Sequence, residues 1–197
     1  MTGVIQAGGR ATRMGGVPKA LLEVGGERII DRILRVLEQV ADDILLVTNT
    51  PDRYASLGLT MVPDVFPDGG SLGGIYSGLT AAAGDVAFTV ACDMPFLMPE
   101  VARLVVDRAA EADVVIPRTG EQHETLHACY AKSCLPPMAR RLEAGRLKIT
   151  GFFEDVRVLV IEPPEIARFR DPAVVFMNVN TPAELARARA VAAAERG

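Results

Sequence analysis

Short apolar runs alternate with stretches of helical periodicity along this chain, and that alternation constrains the fold more than any other feature. Thr2 to Ala7 reads as a strand ended by Gly8-Gly9. Arg28 to Val40 then sets Ile29, Ile30, Ile33, Leu34, Val36, Leu37 and Val40 at helical spacing. Ile44 to Thr48 reads as a buried strand and Met61-Val62 as a short one. Leu72 to Ala83 is expected to be helical, Val86 to Ala91 extended, Pro99 to Ala110 helical and Val114 to Pro117 extended. Such an order builds a mostly parallel sheet with helices on both faces, a three-layer α/β sandwich. Beyond it, Leu126 to Tyr130 reads as a strand and Cys134 to Glu143 as a helix, with strands again at Val156 to Ile161 and Val174 to Asn178. Thr181, Pro182 and Glu184 supply an N-cap, a proline in the first turn and an early acid, so a last helix starts there. With no repeat or linker, one domain over residues 1–197 is the economical expectation.

Composition excludes several function classes. A hydrophobic share of 49% with 23% charged residues belongs to a globular chain. A net charge of -4 argues against general affinity for nucleic acid or anionic membrane, though it leaves room for a local basic pocket. Cys92, Cys129 and Cys134 form no CxxC pair, so neither a disulfide framework nor a zinc site is expected, and reduced thiols suit the cytoplasm. The first residues run into Val4-Ile5 without a charged leader, and no long apolar run follows, so no signal peptide or membrane span is expected. His123 and His127 stand four apart, a metal-pair spacing only on a helix; their surroundings read as a strand, which makes His127 a packing or pocket residue.

Chemistry concentrates in the loop after the first strand, Gln6-Ala7-Gly8-Gly9 through Arg13-Met14-Gly15 to Pro18-Lys19. Its place puts it at the carboxyl edge of the sheet, where open α/β sheets bind ligands. Gly8 and Gly9 allow the backbone to come close to a ligand and aim N–H groups at phosphate oxygens. Arg13 adds a planar fork of donors and Lys19 a point charge. The loop matches neither GxxxxGK[ST] nor GxGxxG. A glycine pair alone is commonly just a turn; Arg13 and Lys19 beyond it make a phosphate-binding loop the better reading.

These residues resemble the signature of nucleotidyltransferases with a dinucleotide-binding-like fold, and further segments resemble the molybdenum cofactor guanylyltransferase family within them. Pro63-Asp64 followed by Gly69-Gly70-Ser71-Leu72-Gly73-Gly74-Ile75 is similar to that family's second glycine loop, with Ser71 where proline is usual. Cys92-Asp93-Met94-Pro95-Phe96 resembles its acidic motif, and Asn178-Val179-Asn180-Thr181-Pro182 its C-terminal asparagine motif. Ala144 to Phe153 is similar to its basic-then-aromatic stretch. Departures are Gln6 for leucine and Thr125 for proline. The resemblance implies a Rossmann-like fold of the nucleotide-diphospho-sugar-transferase type. It also implies transfer of GMP from Mg-GTP to the terminal phosphate of the molybdopterin cofactor, with release of pyrophosphate.

The resemblance assigns residues as well. Gln6, Ala7, Gly8, Gly9, Lys19, Asn49, Asp64, Gly73 and Asp93 would hold GTP. Arg13, Lys19 and Asp93 would be catalytic, and Asp93 with Asn180 would hold Mg²⁺. Asn178, Asn180, Arg146 and Lys148 would meet the acceptor, although Arg146 and Lys148 also fit a solvated basic surface. If Val174 to Asn178 is a strand, Asn178 and Asn180 project to one side. Bland readings stand beside these: Asp93 as a turn cap, and Asn180 or Thr181 as a helix cap. The expected protein is a monomer or weak homo-oligomer in the cytoplasm, open to contact with a molybdoenzyme or cofactor-delivery protein. A cytidylyltransferase acting on the same cofactor shares these motifs, because base choice rests on backbone contacts. A non-catalytic nucleotide-binding module would keep the glycine loops and dispense with Asp93.

Overall fold

The computed structural model describes residues 1–8 and 17–195. In chain order its elements are β1 (Thr2–Gln6), β2 (Glu23–Val24), β3 (Glu27–Arg28), α1 (Ile29–Leu37), β4 (Asp43–Val47), β5 (Thr60–Val62), α2 (Gly70–Ala81), β6 (Val86–Ala91), α3 (Pro99–Val106), β7 (Val114–Thr119), β8 (Gln122–His123), β9 (His127–Ala131), α4 (Leu135–Glu143), β10 (Val158–Ile161), α5 (Pro163–Ile166), α6 (Pro172–Val175) and α7 (Pro182–Ala194). The central sheet runs β10-β7-β9-β6-β1-β4-β5, with β8 paired to β7. Its pairs are parallel at β10–β7, β6–β1, β1–β4 and β4–β5. Strand β9 lies antiparallel to both β6 and β7. The expected mostly parallel sheet is therefore present, with one inverted strand inserted in it.

Side chains alternate between the two faces and define two cores. Ile5, Leu46, Phe88, Val115 and Cys129 point into the layer that holds α1 and α3. Val4, Val47, Ala87, Val114 and Tyr130 point into the layer that holds α2 and α4. All five residues of β1 are buried, as a strand covered on both faces requires.

Strand order places the site. From β1 the chain moves outward to β4 and β5, then returns to lay β6 on the other side of β1. That reversal opens a crevice beyond the carboxyl ends of β1 and β6, where the loops diverge and ligands enter. The ladder just reaches this edge: the Cys92 amide donates to Gln6 O at 3.1 Å, and the Ala7 amide to Val47 O at 2.9 Å.

Two local expectations change. The strand expected at Val174 to Asn178 is instead the short helix α6 and a following loop. Asp171 caps α6 by accepting from the Ala173 amide at 2.9 Å, and Pro172 sits at its first position. These signals outweigh the β-branched Val174-Val175 pair, which stiffens χ1 but does not forbid one helical turn. The β2–β3 hairpin was not expected. It turns on Gly25 and Gly26 with φ of 67° and 78°, the paired positive φ that suits a two-residue hairpin.

Candidate active site

Three segments distant in sequence meet at the crevice. Lys19 opens a 3₁₀ turn, Lys19–Leu21, just after Pro18. Asp93 follows the end of β6. Asn180 precedes Thr181, the N-cap of α7. The Lys19 ammonium lies 3.3 Å from Asp93 Oδ2 and also donates to Asn180 Oδ1.

The C-terminal segment is held in place from two directions. The Val179 amide donates to Asp93 O at 2.9 Å. Glu184 Oε2 accepts from the Asn180 and Thr181 amides at 2.7 and 2.8 Å, while the Glu184 amide donates to Thr181 Oγ1 at 3.2 Å. This capping box satisfies N–H groups that the first turn of α7 leaves open. Helix capping and delivery of Asn180 are thus one feature.

Burial sets the electrostatics. The Asp93 side chain is 14% exposed and that of Lys19 is 26% exposed. Desolvation raises the Asp93 pKa above the usual carboxylate value, and the Lys19 charge and hydrogen bond oppose that rise. Glu184 moves the other way: the amide of Asn180 is the chief cause of its lowered pKa. Burial pushes the Cys92 thiol up to about 12, so this neighbour of Asp93 is no nucleophile near neutral pH.

The opposite wall is built by the β4 and β5 loops and by α2. Asn49 Nδ2 donates to Asp64 Oδ2 at 2.9 Å, and the Asp64 amide donates to Asn49 Oδ1 at 2.9 Å. This reciprocal clasp leaves Asp64 Oδ1 buried without a hydrogen-bond partner among the described residues. Burial raises the Asp64 pKa, against the hydrogen bond from Asn49. Gln6 Nε2 donates to Ser71 O at 3.3 Å and so joins the end of β1 to the first turn of α2. A Cβ at Gly74 would stand 2.7 Å from Gln6 Oε1, so glycine lets these elements approach.

Between the walls lies a cleft of about 730 Å³, within the usual range for small-molecule sites. Gln6, Ala7, Gly8, Lys19, Asn49, Asp64, Asp93, Asn178 and Asn180 all line it. Gly9 and Arg13 lie outside the described residues. The structure does not bring Gly73 to the cleft. Because α2 begins at Gly70, the residues facing the cleft are Gly70, Ser71 and Gly74, and Gly73 packs against Phe66. Arg146 and Lys148 are exposed on the turn after α4 and do not line the cleft. Leu142 of α4 would meet a Cβ at Gly69 at 2.9 Å, which sets the end of α4 near the glycine turn. Sequence reasoning missed Thr50, Asp68, Gly74 and Leu126 as lining residues. Asp68-Gly69-Gly70 carried a turn signal, whereas Leu126 reads only as apolar.

The model of the MobA-like NTP transferase domain matches residues 3–159. The chain belongs to that family. Among relatives of this MobA-like chain, one from Pelotomaculum thermopropionicum is named probable molybdenum cofactor guanylyltransferase. It is 41% identical, over 97% of this chain and 93% of the relative. Another, from Desulfosudis oleivorans, is named molybdenum cofactor guanylyltransferase and is 36% identical over 100% of this chain and 98% of the relative. The solved structure of molybdopterin-guanine dinucleotide biosynthesis protein A from Archaeoglobus fulgidus superposes with a TM-score of 0.83 at 24% identity, covering 98% of this chain and 100% of that one. 2-C-methyl-D-erythritol 4-phosphate cytidylyltransferase from Thermus thermophilus gives a TM-score of 0.72 at 18% identity, with 98% of each chain covered. These two likenesses establish the nucleotidyltransferase fold.

The donor set can be tested against a divalent cation. Asp93 Oδ2 and Asn180 Oδ1 are hard oxygens that converge on a positive charge, that of Lys19. No group of three or more His, Cys, Asp or Glu residues among the described ones could hold a metal. One carboxylate and an amide oxygen fit magnesium, which completes its shell with phosphate and water oxygens. They do not fit a softer ion such as zinc, which seeks nitrogen and sulfur.

Proposed function

We propose that this protein transfers GMP from Mg-GTP to the terminal phosphate of the molybdopterin-based molybdenum cofactor and releases pyrophosphate. The observation that carries the reading is the convergence of Lys19, Asp93 and Asn180 at the strand-order reversal, at one end of a cleft of nucleotide size. The relatives' names give the acceptor and the guanylyl group.

An acceptor phosphate oxygen attacks the α-phosphorus of GTP, and the bond between that phosphorus and the α–β bridging oxygen breaks. The electron pair leaves with pyrophosphate. No protein nucleophile is required, because a phosphate monoester is ionised near neutral pH; the buried Cys92 agrees with this. The protein's task is to position the reactants and balance charge. Lys19, with Arg13 six residues before it in the same loop, would stabilise charge growing on pyrophosphate. Magnesium, held by Asp93 and Asn180, would supply further neutralisation of the triphosphate when bound.

Gly8 and Gly9 would place backbone N–H groups on the phosphates, and Gln6 and Ala7 would contact the nucleoside. Asp64 Oδ1, buried and without a partner among the described residues, needs a donor and would take one from the nucleoside. Asn49 would hold Asp64 in that pose. Asn178 would face the acceptor. Arg146 and Lys148 would attract its phosphate from the rim rather than from within the cleft.

The test is pyrophosphate release from purified protein with Mg-GTP and molybdenum-loaded molybdopterin, with CTP in a parallel reaction. Turnover with GTP exceeding that with CTP is expected. Asp93→Asn should lose at least about a hundredfold in rate, the scale for removing a major electrostatic contact, while its melting curve stays cooperative. Unchanged turnover by Asp93→Asn would remove that residue from the reaction.

A further inference from the structure

The contacts of Lys19 raise a question of occupancy. One ammonium satisfies both Asp93 Oδ2 and Asn180 Oδ1. These are the same two oxygens that fit a divalent cation. Apart from the Asp93 backbone amide, which also bonds its own carboxylate, Lys19 is the donor these oxygens have among the described residues. The Asn180 backbone is pinned by Glu184, and the Asp93 main chain by Val179. Glu184, the other acid near Lys19, is engaged with backbone amides and caps α7. Among the described residues no group of three or more His, Cys, Asp or Glu side chains forms a cation cage.

We infer that the Lys19 ammonium and a divalent cation compete for Asp93 Oδ2 and Asn180 Oδ1, and that a triphosphate relieves the competition by drawing Lys19 onto its own oxygens. The inference rests on the proposed placement of the cation at Asp93. Two positive groups cannot share these oxygens without repulsion across a few ångströms in a partly desolvated site, where screening is weak. Nor can Lys19 leave alone, because a mostly buried Asp93 carboxylate would lose its counter-charge. The exchange is therefore concerted in charge: Lys19 moves to phosphate as the cation takes its place. Cation and nucleotide bind with positive linkage, and the cation alone binds weakly. Linkage of this kind lets the site neutralise the triphosphate without retaining a metal between turnovers.

The experiment is a titration with Mn²⁺, without nucleotide, read by the electron paramagnetic resonance signal of the free ion. It compares the unaltered protein, Lys19→Met, and the double variant Lys19→Met/Asp93→Asn. Lys19→Met should bind Mn²⁺ about tenfold more tightly than the unaltered protein, equivalent to about 1.4 kcal/mol, and the double variant should lose that gain. Equal affinity for the unaltered protein and Lys19→Met overturns the inference, as does a gain that survives in the double variant. Circular dichroism checks that each variant is folded; if Lys19→Met is not, Lys19→Gln takes its place with the same expectation. Guanylyl transfer by the unaltered protein is measured alongside. Transfer without the Mn²⁺ gain sinks the competition and leaves the proposed reaction standing. The gain without transfer does the reverse.

Discussion

Gly78 offers a quantitative test of how the fold holds the nucleotide wall. It lies in α2 where the helix rests on β1 and β4, and a Cβ built there would stand 2.3 Å from Val4 Cγ1 and 3.2 Å from Val47 Cγ2. Comfortable carbon contacts begin near about 3.5 Å, so Gly78→Ala creates an overlap of more than about 1 Å with Val4. Val4 is fully buried and β-branched, so it has no free rotamer to retreat into. The helix must lift instead. Overpacking of this sort costs about 1–3 kcal/mol, and the higher helix propensity of alanine returns about 1 kcal/mol. A clash this close belongs at the upper end, which leaves a net loss of about 1–2 kcal/mol. For a chain of this size that lowers Tm by about 2–8 °C. Gly84→Ala is the control: nothing lies within 4 Å of its Cβ, and its stability should change by less than about 0.5 kcal/mol. Val4→Ala combined with Gly78→Ala should lose less than the sum of the two single changes, since one makes room for the other. Because α2 carries Ser71 and Gly74 to the cleft, a lifted helix should also raise KM for GTP. Thermal unfolding by circular dichroism reads the stability, and a Gly78→Ala protein that melts at or above the parent refutes the packing argument.

Two further outcomes follow from capping and burial. Thr181→Ala removes the hydroxyl that accepts the Glu184 amide and should cost about 1 kcal/mol of stability. It should also lower kcat by loosening Asn180, with Thr181→Ser restoring both; a stability loss with unchanged kcat would separate the cap from the site. His127 is fully buried between Phe88 and Phe176, and desolvation pulls its pKa from 6.5 down to about 3. Its folded value lies below its unfolded one, so the unfolded chain takes up a proton first as pH falls below 6.5. Stability should then drop by up to about 1.4 kcal/mol per pH unit over that window. His127→Phe should flatten the difference between urea unfolding at pH 7 and at pH 5; an equal difference in both proteins would place its source elsewhere.

Most of the sheet was legible because buried parallel strands are short apolar runs, and β1, β4, β6 and β7 read as such without help from turn chemistry. The helix α7 was legible for a different reason. Thr181, Pro182 and Glu184 each favour the same first turn, and the structure shows the capping box they build. The grouping of Lys19 with Asp93 was also within reach, since both follow central strands and such loops share one sheet edge. Periodicity could not show which glycine of the second loop faces the cleft. That depends on the helix phase: adjacent residues of a helix point about 100° apart, which separates Gly74 at the cleft from Gly73 against Phe66.

The C-terminal asparagines are placed at the site by their resemblance to a family motif; only the added argument from strand alternation proved wrong. A strand over Val174 to Asn178 would have sent Asn178 and Asn180 to one side by alternation. The chain instead makes one helical turn at α6 and leaves it as an irregular segment, so no period of two operates there. Both residues still line the cleft, because the Val179 amide is pinned to Asp93 O and the following turn is pinned by Glu184. Residues on either side of one anchored amide need no strand to face the same cavity. Asp171-Pro172 is a helix-start signal that stands directly before two valines of strand character. At a site formed by segments far apart in sequence, cross-chain anchors such as Val179 to Asp93 decide side-chain placement. Such anchors leave no periodic trace in the residues they hold.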